Sequence, residues 1–141
     1  MSFVGREKET KKIIKTKTKG QIEDSIAKEV IKFYVKNMGV GPRETQVYVL
    51  RDMIIVRLKG RLLPFEKILL GHDKGVSLIK DSRKIIHELT VGGLSKIINK
   101  ITNHKIISSH SDISTKTGEI IQVYIIDINY ENELHKQLLG S

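Results

Sequence analysis

The segment that most constrains the fold is residues 109–128, where a polar turn separates two strand-like runs. The turn has the sequence Thr-Lys-Thr-Gly at positions 115–118, and the run after it is apolar on both faces. Alternate residues of a strand point to opposite faces, so a strand with one face in water alternates apolar and polar residues. Because this strand lacks that alternation, the sequence predicts a sheet whose two faces are both covered.

Apolar spacing predicts a helix and a hairpin in the first half of the chain. Residues 21–38 repeat apolar side chains at three- and four-residue steps, which is typical of an amphipathic helix. Residues 45–50 and Met53–Lys59 are β-branched and aliphatic, and Arg51-Asp52 between them predicts a tight hairpin turn. The second of these strands is also apolar on both faces.

The second half returns to helical spacing and ends in another hairpin. Residues 64–70 and 76–91 predict helices, and Gly92-Gly93 predicts a break or kink before a last apolar helical stripe. Asn103 fits a left-handed helix cap. The predicted fold class is therefore α+β, a two-layer sandwich in the order α-β-β-α(α)-β-β. Its four-stranded sheet is mainly antiparallel, with helices on one face.

Charge and length divide the chain into an arm, one domain and a tail. Residues 1–19 hold seven Lys or Arg and two Glu, a net charge of +5, and they predict a basic flexible arm. Residues 20–130 predict one domain, and residues 131–141 a short tail with one or two helical turns. The chain has no cysteine, which excludes disulfides and thiol chemistry. No apolar run approaches the roughly 18–20 residues of a membrane span, and the first residues lack a signal-peptide core, so we expect a cytoplasmic protein.

The two-sided strands predict self-association. The helices already cover one sheet face, so in so short a chain the other face is expected to pack on a second copy, as a dimer or larger assembly. The residues predicted for this contact are Met53, Ile55, Tyr124 and Ile126.

Three segments carry a family resemblance. Residues 41–45 (GPRET), 52–60 (DMIIVRLKG) and 110–119 (HSDISTKTGE) resemble the MpsC-like family, and the likeness extends over about residues 18–130. That family carries the label of a Na+-translocating membrane-potential-generating system. The resemblance implies a peripheral or regulatory role beside a membrane system of ion or inorganic-carbon uptake. It brings no catalytic residue to this chain.

Two positions depart from the pattern of the family. Its second helix usually begins Leu-Thr-Pro, whereas Leu63 occupies the cap position here, with the loss of an N-cap worth about 1 kcal/mol. Arg51 stands where the family has glycine in the first hairpin turn.

Polar residues around the second hairpin form a candidate anion or ligand site. Hydroxyls, cations and turn N–H groups donate to oxyanions, and the alternative is a hairpin turn whose side chains satisfy its own backbone. The candidate residues are Arg43, Arg57, His110, Thr115, Lys116, Thr117 and Gly118. Arg57 and Lys59 suit either this pocket or a salt-bridged dimer seam, with Asp112 or Glu119 as partners.

No catalytic, cofactor or metal constellation is predicted. The five histidines have no metal-ligand spacing, and Ser109, His110 and Asp112 alternate along one strand and cannot act as a triad. The leading hypothesis is a non-catalytic, self-associating regulatory or adaptor domain with a protein partner or a small anionic ligand. The alternative is an electrostatic binder of nucleic acid or anionic membrane through the basic arm. A small enzyme would need a pocket that joins Arg57, His110 and Lys116.

Overall fold

The computed structural model describes residues 17–140, and it has the predicted α+β order with one more helix at the end. The predictions for the basic arm fall almost wholly outside the described residues. The elements are α1 (Lys19–Met38), β1 (Glu44–Leu50), β2 (Met53–Lys59), α2 (Pro64–Leu69), α3 (Gly75–Thr102), β3 (Ile106–Ile113), β4 (Ile120–Ile126) and α4 (Tyr130–Gly140).

Helix α1 begins two residues before the predicted start because Thr18 caps it. The Thr18 hydroxyl accepts from the Gln21 N–H at 3.1 Å, and the Gln21 side chain accepts from the Thr18 N–H at 2.9 Å. This reciprocal capping box satisfies two of the free donors at a helix start. The helix ends at Gly39, whose φ of 76° is left-handed and whose N–H donates to the Val35 carbonyl.

The four strands form one antiparallel sheet in the order β1-β2-β4-β3. The two strands predicted to be apolar on both faces, β2 and β4, are therefore the central pair. Ile55 lies opposite Val123 in this pair, and Arg57 lies opposite Ile121. Residues directly opposite each other across an antiparallel pair share a face, so this register fixes which side chains lie together.

The core lies between one face of this sheet and the helices. From the sheet, Val49, Ile54, Val56, Leu58, Tyr124 and Ile126 are buried, and from α1 and α3 Ile22, Ile26, Val30, Leu94 and Ile98 are buried against them. No helix within residues 17–140 is both long and apolar enough to cross a membrane.

Of the break or kink predicted at Gly92-Gly93, the break is wrong, because α3 runs unbroken through both residues. A Cβ atom on Gly93 would lie 2.5 Å from Cε2 of Phe33 on α1. Glycine at this position lets the two helices approach closely, and that packing outweighs the roughly 1 kcal/mol by which glycine disfavours a helix. The predicted cap at Asn103 is confirmed, with φ 61°.

The C-terminal segment is longer and better packed than the one or two helical turns predicted for it. Helix α4 has 11 residues, and its Tyr130 and Leu134 are buried in the core. Burial, together with the charge of Glu133, raises the pKa of Tyr130 to about 12. Glu131 accepts from the Arg51 N–H at 3.1 Å and so braces the first hairpin turn, where Arg51 adopts a left-handed φ of 56°.

Candidate functional site

The 114–119 turn uses its polar groups to hold itself together. The Ser114 hydroxyl accepts from the N–H groups of Lys116 and Thr117, both at 3.3 Å. The Thr117 hydroxyl accepts from the Glu119 N–H at 3.2 Å, and the Gly118 N–H donates to the Ser114 carbonyl at 2.8 Å. These backbone donors are thus occupied, as the hairpin-turn interpretation expects. Lys116 and Thr117 are exposed, and Thr115 is half-buried.

Arg57 is held by Glu119, one of the two partners predicted for it. The Arg57 Nε and Nη2 atoms lie 3.0 and 2.9 Å from Glu119 Oε2. Asp112 instead contacts the Lys80 ammonium of α3 at 3.0 Å. That hydrogen bond, with the Ile113 N–H and the Lys80 charge, lowers the pKa of Asp112 despite the opposing effect of burial.

The seven candidate anion-site residues do not converge. His110 lies opposite Val123 in the middle of β3, on the same sheet face as Arg57. Arg43 and Gly118 instead line a cleft on the helix side of the sheet. Thr115, Lys116 and Thr117 occupy the turn between these two regions. A single pocket joining Arg57, His110 and Lys116 is therefore not formed by these residues.

The sheet face turned away from α1 and α3, here called the open face, is apolar at its centre. Met53 and Ile55 lie on it as predicted, beside Ile121, Val123 and Ile125 of β4.

Tyr124 and Ile126 were assigned to this face from sequence and are corrected by the structure. Tyr124 and Ile126 are 0% and 2% exposed and lie on the helix side of the sheet. The residues that alternate with them, Val123 and Ile125, pair with Ile55 and Met53 on the open face. Tyr48 and Leu50 of β1, 45% and 43% exposed, extend the apolar area and were not predicted.

A second concave feature, here called the basic cleft, lies at the end of the sheet on the helix side. Its volume is about 440 Å³, and its apolar lining includes Met38, Leu58, Leu62 and Ile120. The cations Arg43, Arg61 and Lys67 reach it from the loop after α1, the loop after β2 and helix α2. None of the three forms an ion pair with a described residue. Arg61 and Lys67 were missed because they lie in different segments with no shared sequence motif.

Behind the cleft, a buried ion pair joins α2 to α3. Arg83 Nε and Nη2 lie 2.7 and 2.6 Å from the two carboxylate oxygens of Glu66, which is 1% exposed. Glu66 also accepts from the Leu63 N–H at 2.8 Å, which is one half of a capping box, whereas the Leu63 side chain makes no cap hydrogen bond in return. Burial alone would raise the pKa of Glu66, but the hydrogen bonds from Arg83 and Leu63 and the Arg83 charge lower it.

This pair gives the stability a predictable dependence on pH. A carboxyl whose pKa is lowered by folding stabilises the protein above its unfolded pKa, about 4.3 for glutamate, and loses that contribution as pH falls through the folded pKa. We expect wild type to exceed Glu66→Gln in free energy of unfolding at neutral pH, with the gap narrowing below about pH 4. Urea unfolding of both proteins across this range measures the gap. A gap that stays constant in acid would contradict this prediction.

One serine–histidine contact lies apart from the cleft. His87 Nε2 is 3.3 Å from the Ser109 hydroxyl, but His87 Nδ1 is buried and has no hydrogen-bond partner among the described residues. Burial lowers the pKa of His87, against a smaller opposing effect of Glu88. A nucleophile–base pair requires a third group to orient the base, and this imidazole has none in the described part of the chain.

Comparison with known proteins gives one family and one relative. The family model described as "Na+-translocating membrane potential-generating system (MpsC)" matches residues 18–128. A Bacillus subtilis (strain 168) protein named "Uncharacterized protein YbcI" is 39% identical over 122 residues, which cover 86% of this chain and 98% of that protein. No solved structure matches the chain.

Proposed function

The chain belongs to the MpsC family, and from that premise we propose that it is a non-catalytic, self-associating regulatory domain that dimerises through the open face of its sheet. In this proposal it serves as a peripheral adaptor of the membrane-potential-generating system for which the family is named. The observation that carries the proposal is the apolar centre of the open face, formed by Met53, Ile55, Val123 and Ile125 on the two central strands.

The charges around this centre suit a second copy of the same surface. Arg57 and Lys59 supply cations, and Glu44, Asp112 and Glu119 supply carboxylates, within the same face and its border. A twofold interface pairs a surface with itself, so charged groups on the patch can be matched only where both signs are present. A partner of one strong charge would instead favour a border of the opposite sign.

The size of the face sets the expected strength of the dimer. Strands about 4.8 Å apart and about seven residues long give a sheet of roughly 19 by 24 Å. Pairing two such faces covers on the order of 900 Å², close to the lower limit of about 1,000 Å² for a specific interface. We therefore expect reversible association in the micromolar range rather than a permanent dimer.

The polar contacts of the chain support a role without catalysis. Arg57, Asp112 and Glu66 are each engaged by an ion pair, and the backbone N–H groups of residues 116–119 are satisfied within the turn. The contact between His87 and Ser109 lacks an orienting group among the described residues. Side chains held in this way position one another rather than a reacting substrate.

A charge at the centre of the open face tests this proposal. Ile55→Glu is expected to weaken dimerisation at least about 10-fold, because pairing would bury an uncompensated carboxylate in each copy. Sedimentation equilibrium across the micromolar range measures the change, and circular dichroism checks the fold. Tyr48→Glu repeats the test at the cross-strand neighbour of Ile55, which is more exposed and so tolerates a charge more readily.

Leu89→Glu provides the matched control. Leu89 is 78% exposed on α3, so the same carboxylate there is expected to leave association unchanged. A wild-type chain that stays monomeric over this range would overturn the proposal. Equal association of wild type and both open-face variants would do so as well.

A further inference from the structure

We propose that the basic cleft binds a small amphiphilic anion, a molecule with a phosphate or carboxylate head and an aliphatic body. This inference goes beyond the proposed self-association, since the cleft lies on the helix side and shares none of the apolar residues of the open face. Its volume, about 440 Å³, falls within the range of roughly 300–1,000 Å³ that small-molecule sites occupy.

The charge of the cleft selects an anion. Arg43, Arg61 and Lys67 form no ion pair with a described residue, whereas the fourth cation that lines the cleft, Arg83, is neutralised by Glu66. Among the described residues that line the cleft, none is acidic. All three side chains are exposed, so they attract an anion through a Coulomb interaction that weakens as the salt concentration rises. The basic arm of residues 1–19 is a poor occupant because its net charge is also positive.

A chain of hydrogen bonds brings one further donor to the same cleft. The Tyr124 hydroxyl donates to Gln122 Oε1 at 2.8 Å, and Gln122 Nε2 donates to the Tyr34 hydroxyl at 2.7 Å. The reverse direction would leave the proton of Tyr124, which is 0% exposed, without an acceptor. The O–H of Tyr34 therefore has no acceptor among the described residues, and Tyr34 lines the cleft.

The protonation of Tyr34 agrees with this role. Burial raises its pKa, against smaller opposing effects of the Gln122 hydrogen bond and the Arg83 charge. The phenol consequently stays protonated at neutral pH and can donate to a phosphate or carboxylate oxygen. No acceptor for this proton is present among the described residues.

The apolar lining accounts for the body of the ligand. Four apolar side chains line the cleft, from a helix, a loop and two strands: Met38, Leu62, Leu58 and Ile120. None of these side chains has a group that hydrogen-bonds to a hydrophilic ligand. Burying methylene groups stabilises a complex, so an alkyl chain adds affinity that inorganic phosphate cannot gain.

Titration calorimetry with the full chain tests the inference, with decyl phosphate and decanoate as probes below their micelle concentrations. We expect Arg43→Gln with Arg61→Gln to weaken binding of either probe roughly 10- to 100-fold, since charge-assisted hydrogen bonds are lost. Tyr34→Phe is expected to weaken it by roughly 3- to 10-fold. Lys96→Gln with Lys100→Gln, which removes two exposed cations of α3 that do not line the cleft, is the matched control and should bind as wild type does.

Four other results of these measurements would contradict the inference. Tight binding of decan-1-ol would contradict a site for an anion, and equally tight binding of inorganic phosphate would contradict the aliphatic body. Binding unchanged in the double variant would place the probe elsewhere, including on the arm, and overturn the inference. Protein that binds vesicles of anionic phosphatidylglycerol but neither soluble probe would also overturn it, in favour of a membrane surface.

Discussion

Glu66→Ala is expected to lower the free energy of unfolding by about 3–5 kcal/mol, because it leaves the largely buried Arg83 guanidinium without its counter-charge. Both oxygens of Glu66 contact Arg83, and the Arg83 side chain is only 14% exposed. The same change removes the acceptor of the Leu63 N–H at the start of α2. Urea unfolding followed by circular dichroism measures the loss.

Two further variants test whether the loss of stability comes from the buried Glu66–Arg83 ion pair. Asp24→Ala breaks the exposed ion pair with Lys28, whose side chains are 69% and 63% exposed, and is expected to cost less than about 1 kcal/mol. Replacing Glu66 and Arg83 together with methionine is expected to restore much of the loss, since no unpaired charge remains buried. Losses of similar size for Glu66→Ala and Asp24→Ala would show that the buried pair contributes little.

Gly118→Ala is expected to have an effect of comparable size, about 2–5 kcal/mol, through backbone strain and a direct clash. Gly118 has φ 78°, which disfavours any residue with a Cβ atom. That Cβ would also lie 2.6 Å from both the Arg61 carbonyl carbon and the Leu62 nitrogen. The substitution must therefore push the second hairpin away from the loop that forms one wall of the basic cleft.

Gly39→Ala is the matched control for this prediction. Gly39 has nearly the same backbone conformation, φ 76°, but nothing lies within 4 Å of the position of its Cβ. Its replacement is expected to cost only the left-handed strain, about 1–2 kcal/mol. The difference between the two variants in urea unfolding measures the clash alone, and equal losses at the two glycines would refute it.

Local pattern was sufficient to predict most of the secondary structure. The β2 and β3 strands begin and end where predicted, because period-two apolar runs and turn residues are local signals. The prediction failed at Gly92-Gly93, because two adjacent glycines indicate a helix break locally, whereas close packing of two helices favours glycine at that position. Helix packing against Phe33 favours a residue with no side chain at Gly93, and the sequence alone does not reveal that contact.

The candidate sites were harder to predict than the fold. Glu119, one of the two partners named for Arg57, contacts it, but this contact depends on the pairing of β2 with β4, which belong to different hairpins. The turn residues 115–118 stood out in sequence, yet their hydrogen bonds hold the turn itself. Arg61 and Lys67 belong to no recognisable sequence motif. They line the same cleft as Arg43 only because the fold brings three separate segments to one end of the sheet.

The apolar residues on both faces of β2 and β4 are evident in the sequence, and they predict that both sides of the sheet need cover. Strand pairing in the folded chain places the two strands at the centre of the sheet. Which of the two faces packs against the helices is set by the fold. A strand with two apolar faces has no internal signal that distinguishes core from surface, so the choice rests on pairing and helix packing. These bury Tyr124 and Ile126 beneath the helices and leave Ile121, Val123 and Ile125 on the open face.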